Sequence, residues 1–205
     1  MACVSPPVGG GLPRVVAVVL VRSPRVFHWL GHMPVLHWSA GRLAEVRGVG
    51  RVVCVAPSGL ADRARRLLAR EAVEAVVLPR PLEEASDAAV ESWLASAAGP
   101  AADADVVVVD HASTPFLPAA KLEACLAAVC RGGHAAARPA RPVSVGVPPV
   151  RAAEVVRGVH VFRVPVPRER SYRGLEVPVT VIESLDVEDA DEFVLADALV
   201  ASGKL

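Results

Sequence analysis

The sequence predicts an α/β protein: an open, mostly parallel sheet with helices on both faces. Three observations lead to this class. Residues 15–21, 51–56 and 105–110 are near-continuous runs of valine and other apolar residues, the signature of strands buried on both faces. Segments with helix-like apolar spacing lie between those runs. Strand and helix patterns alternate four times, which implies parallel strands joined by crossover helices.

The elements follow in order. Residues 15–21 form the first strand, and an irregular segment, 22–33, comes after it. Residues 34–46 carry Leu36, Leu43 and Val46 at helical spacing, and Gly48 ends that helix. The second strand is 51–56, closed by a Pro57–Ser58–Gly59 turn in which Ser58 is an N-cap candidate. Residues 60–70 form a helix with an apolar stripe at Leu60, Ala64, Leu67 and Leu68. A short strand spans 75–78, a helix 83–98 and a strand 105–110. The helix 118–130 is closed by Gly132–Gly133, a C-cap signal. The prolines in 137–149 and 165–167 suggest surface connections. Strands at 159–166 and 177–182 and a helix at 190–202 complete the chain. Residues 1–13 read as a disordered lead, and 14–205 as a single domain.

Composition narrows the function. The chain of 205 residues balances 22 Lys plus Arg against 22 Asp plus Glu, so it lacks the basic footprint of a nucleic-acid binder. The cysteines Cys3, Cys54, Cys125 and Cys130 form no C-x-x-C pair, which argues against structural zinc and for small buried residues. Apolar residues make up 53% of the chain, yet no run reaches the roughly 18–20 residues of a membrane span. The N-terminus lacks the basic start and apolar core of a signal peptide, so a cytoplasmic location is expected.

Ligands of open α/β sheets bind beyond the carboxyl ends of the strands. Arg22, Ser23, Pro24 and Arg25 follow the first strand. Asp110, His111, Ser113 and Thr114 follow the strand at 105–110, and Glu183, Asp186, Glu188 and Asp189 follow the last. Asp110 suits either an Mg²⁺ ligand or a turn that bonds its own backbone. Asp186 suits either a second carboxylate ligand or the N-cap of the last helix. Arg22 and Arg25 suit either a two-point grip on phosphate or a solvated loop. His28, His32 and His37 fall close together, but without a regular H-x-x-x-H and a nearby Glu on a helix they do not define a metal site. No G-x-S-x-G, Walker-type or G-x-G-x-x-G motif follows a strand, which argues against serine hydrolases, P-loop NTPases and dinucleotide dehydrogenases.

Four ordered segments carry a family resemblance: VVAVVLVRSPRVFHWLGHMPVLHWSAGRL, GVGRVVCVAPSGLADRARRL, DADVVVVDHASTPFLPAAKLEACLAAV and IESLDVEDADEFVLADALV. Together they resemble the cytidylyltransferases that activate acidic sugars, the CMP-sialate and CMP-Kdo synthetases, and their relative that makes CDP-methylerythritol. The resemblance implies a Rossmann-like fold of the nucleotide-diphospho-sugar transferase type. It also implies a reaction, transfer of CMP from CTP to a sugar, sugar-acid or sugar-phosphate acceptor with release of pyrophosphate. By position it implies Arg22 and Arg25 as catalytic phosphate contacts, with Ser23, Ser58 and Asp87 beside them at the nucleotide. Asp110 and Asp186 would hold Mg²⁺, and a homodimer is the family's usual assembly. The opening loop departs from the family pattern: it reads S-P-R-V-F-H-W-L-G, without the glycines and lysine usual there. That departure places a second reading beside the first, a non-catalytic relative acting as a binding or assembly module. A third is another transferase that uses a sugar nucleotide.

Overall fold

The computed structural model describes residues 12–70, 73–145, 150–155, 159–164, 176–180, 185, 187 and 189–204; for 141–145, 150–155 and 176–180 it describes the backbone alone. Asp186, most of the lead at 1–13, Cys3 and the 165–167 connection therefore lie outside the described residues.

Four parallel strands form the heart of the sheet. β1 (Val15–Leu20) lies between β4 (Val49–Ala56) and β6 (Val106–Asp110), and β5 (Val73–Val77) pairs with β4. Every residue of β1 and β6 is buried, because helices cover both faces and valine packs well on a pleat from either side. Val15, Ala17, Val19 and Val21 point to one face; Val16, Val18 and Leu20 point to the other. Full burial of each such valine contributes about 1.5–3 kcal/mol.

The first face is covered by α1 (Val35–Glu45), α2 (Ser58–Leu67), α5 (Ala119–Cys130) and α6 (Ala190–Ala201). The second is covered by α4 (Asp87–Leu94), preceded by the one-turn α3 (Arg80–Glu83). The helix expected over 83–98 is thus shorter, spanning 87–94, and a separate turn precedes it. The cause is a side chain from far away in sequence: the Arg22 guanidinium takes the carbonyls of Leu82, Glu83 and Ala85, oxygens that a continuous helix would give to residues 86, 87 and 89. Ser86 then restarts the helix as its N-cap, accepting from the Ala89 N–H.

α1, α2, α3 and α5 each start directly after a proline at the N-cap, without a side-chain cap bond. The pyrrolidine ring fixes φ and stops the helix extending backwards. Ser58 is accordingly the first residue of α2 and not its cap.

Beyond β6 the sheet turns antiparallel. β9 (Val159–Arg163) pairs with β6, and β7 (Ala136–Val145) follows it. β10 (Glu176–Thr180) runs parallel to β7, and β8 (Val150–Val155) runs antiparallel to it. β7 corrects the expectation of a surface connection over 137–149. Its small residues Ala136, Ala137 and Ala140 are buried, so the strand packs closely without the β-branched side chains that advertise a strand. A small hairpin, β2 (Trp29–Leu30) with β3 (Met33–Pro34), lies between β1 and α1.

Cys54 and Cys125 are buried, and burial pushes both thiols up to about 12, so they behave as small apolar residues. Among the described residues, no helix is long and apolar enough to cross a membrane.

Candidate functional site at the sheet switch point

From β1 the chain steps to β4 and β5 on one side, then returns to place β6 on the other. The crevice beyond the carboxyl ends of β1 and β6 is the topological switch point, where open α/β sheets bind ligands. Strand alternation decides which face each candidate serves.

Asp110, the last residue of β6, points to the α1 face. It is 0% exposed and ion-paired with Arg42 of α1, whose guanidinium also donates to the Thr114 carbonyl. Its other oxygen accepts the Ala112 N–H at 2.7 Å. Ala112 has a φ of 60°, a left-handed conformation rare for a residue with a Cβ, and the Asp110 carboxylate helps to hold it there. Full burial pushes the Asp110 carboxyl up, against the opposing pull of Arg42 and the Ala112 N–H. The residue expected as an Mg²⁺ ligand is thus enclosed, holding a turn and a helix together. The N-cap of α6, one of two roles considered for Asp186, is filled by Asp189, which accepts the Asp191 and Glu192 N–H groups.

Arg22 points to the α4 face. Besides the three carbonyls it meets Asp87 at 3.1 Å, which brings together two residues expected at the nucleotide. Ser58 lies across the end of β4, where its backbone N–H donates to the Glu83 carboxylate at 2.9 Å. That contact holds the Glu83 carboxyl below its ordinary range. Ser23 caps the 3-10 turn Pro24–Phe27, accepting the Arg25 N–H at 3.2 Å, and Arg25 is exposed. That turn is pinned by Phe27, which is 3% exposed, packed into the first-face core and covered by the Arg63 guanidinium. Trp29 instead points outward, 65% exposed.

Sequence reasoning missed a polar cluster on the α4 face. Glu91 and His160 are 0% and 2% exposed, and His160 Nδ1 lies 2.8 Å from Glu91 Oε1. Arg138 of β7 contacts His160 Nε2. The His111 ring stacks on His160 with centroids 6.3 Å apart. Burial lowers the His111 pKa, with Asp87 opposing. Asp87, Glu91 and Leu94 fall at i, i+4 and i+7 on α4, a stripe that could have revealed the acidic face.

His28 lies edge-on to Phe193, and His32 edge-on to Trp38. Among the described residues no group of three or more His, Cys, Asp or Glu is placed to hold a metal ion. Two cavities, of about 390 and 530 Å³, open beside Arg51, Glu74 and Asp103 and beside Leu12, Arg47 and Glu123. Both lie at the opposite, amino end of the parallel strands from the switch point.

Geometry and topology define the class first: a doubly covered α/β domain whose topological switch point lies between β1 and β6. The particular fold is one that solved structures share. A CMP:2-keto-3-deoxy-manno-octonic acid synthetase complexed with CTP superposes with a TM-score of 0.70 at 11% identity, over 93% of this chain and 98% of that one. A 4-diphosphocytidyl-2C-methyl-D-erythritol synthase from Anaerococcus prevotii DSM 20548 gives 0.65 at 10% identity, over 91% and 96%. A further 4-diphosphocytidyl-2C-methyl-D-erythritol synthase gives 0.62 at 14% identity, over 92% and 98%. No protein-family model and no curated protein sequence matches the chain. At these identities the likeness establishes the fold, the nucleotide-diphospho-sugar transferase type expected from the sequence.

Proposed function

We propose that this chain is a nucleotidyltransferase that transfers CMP from CTP to a sugar-type acceptor and releases pyrophosphate. The observation that carries the proposal is the position of Arg22: it stands at the switch-point crevice of a fold shared with a synthetase complexed with CTP. An acceptor oxygen would attack the α-phosphorus, and the bond to the β-phosphate would break with pyrophosphate taking the electron pair. Such chemistry depends on positioning and on neutralising phosphate charge. Arg22 and Arg25 supply guanidinium groups for that purpose, with Ser23 on the same loop and Ser58 at the start of α2. Asp87 pairs with Arg22 and is given no phosphate contact.

Asp110 does not fit an Mg²⁺ ligand in this conformation, because Arg42 and the Ala112 N–H engage its two oxygens and none of it reaches the crevice. No step is therefore assigned to a metal. Consumption of a nucleoside triphosphate favours a cytoplasmic setting.

Titration with CTP, followed by an assay of pyrophosphate release with a panel of acidic sugars and sugar phosphates, tests the proposal. Saturable binding and acceptor-dependent release are expected; absence of both sinks it. A second reading, a non-catalytic binding module, is favoured by the full engagement of Arg22 and by the buried Phe27 anchor. Binding of CTP without turnover on any acceptor would select it.

A further inference from the structure

One segment, residues 79–87, crosses the carboxyl ends of β4 and β1 and engages both loops there. At its start the Leu78 side chain is fully buried and its N–H donates to the Ala56 carbonyl at 2.7 Å. Leu82 packs against the second-face core. From Leu82 onward the segment presents acceptors to groups from two other parts of the chain. The Glu83 carboxylate takes the Ser58 N–H at 2.9 Å. The Asp87 carboxylate and the carbonyls of Leu82, Glu83 and Ala85 surround the Arg22 guanidinium at 3.0–3.4 Å. A carboxylate and a phosphate oxygen make the same kind of charge-assisted bond to a guanidinium, so they compete for one partner.

We propose that residues 79–87 form an autoinhibitory strap, in which Glu83 and Asp87 occupy places that phosphate oxygens would take. This inference rests on the reading that a polyphosphate ligand enters the switch-point crevice. Binding then requires the strap to release Arg22, and the apparent affinity is lowered by the fraction of molecules in which the strap is closed. The strap is suited to opening. Its helix is a single turn, and its polar contacts are at least partly exposed.

The experiment compares the wild-type chain, Glu83→Gln/Asp87→Asn and Glu84→Gln, with CTP and with inorganic pyrophosphate as probes. Glu84 is exposed on the same segment and serves as the charge control. The double variant should bind both probes about tenfold more tightly than wild type, consistent with the strap's contribution to the closed state, and Glu84→Gln should bind like wild type. Hydrogen exchange at residues 80–87 should quicken when the wild-type chain binds CTP, since the strap lifts. If wild type binds CTP but the double variant gains nothing over Glu84→Gln, or if these amides become more protected on binding, the strap is wrong. If no protein binds either probe, the nucleotide reading fails and the strap fails with it.

Discussion

Asp110→Ala should lower the unfolding free energy by about 3–5 kcal/mol, the usual cost of removing one partner from a buried ion pair. The buried Arg42 guanidinium is left without its anion, and Ala112 loses the carboxylate that helps hold its left-handed backbone. The double variant Arg42→Met/Asp110→Val should recover more than half of the loss, because an apolar pair of similar volume needs no compensating charge. Urea unfolding checks both values through the midpoint, provided that the slope is unchanged. A single variant as stable as wild type would show that the carboxylate is not structural and would return Asp110 to the metal-ligand candidates.

Arg22→Ala should weaken CTP binding about 100-fold, or roughly 3 kcal/mol for charge-assisted bonds lost to a phosphate. Arg22→Lys should fall between the two, since the charge stays but the planar fork is lost. The same Arg22→Ala change frees the carbonyls of Leu82, Glu83 and Ala85, so hydrogen exchange at residues 80–87 should quicken even without ligand. Isothermal titration measures the affinity. Unchanged CTP affinity would remove Arg22 from the nucleotide site.

The parallel core was legible because β1 and β6 are buried on both faces, which selects valine at every position. β7 was not legible: alanine fills its buried positions, and Pro139 and Pro142 read as loop. The break between α3 and α4 depends on Arg22, some sixty residues earlier, and no local pattern around residue 84 encodes it. The site was half legible. Strand ends marked Arg22 and Asp110, but the face that each serves follows from the register, and it sends them to opposite sides of the sheet. Arg42 left a readable sign, since Val35, Ser39 and Arg42 share the buried stripe of α1 at i, i+4 and i+7. His160 shares one face of β9 with Phe162, and only the fold brings it to Glu91.

The proposed function requires a cytidine nucleotide to bind at the carboxyl edge of β1 and β6. Hydrogen-exchange mapping of the wild-type chain with and without saturating CTP tests it most directly. The account predicts changes concentrated at residues 21–28, 56–60, 80–87 and 110–114. No change at any concentration, or changes confined to the opposite edge around Arg51, Asp103 and Arg47, would contradict it.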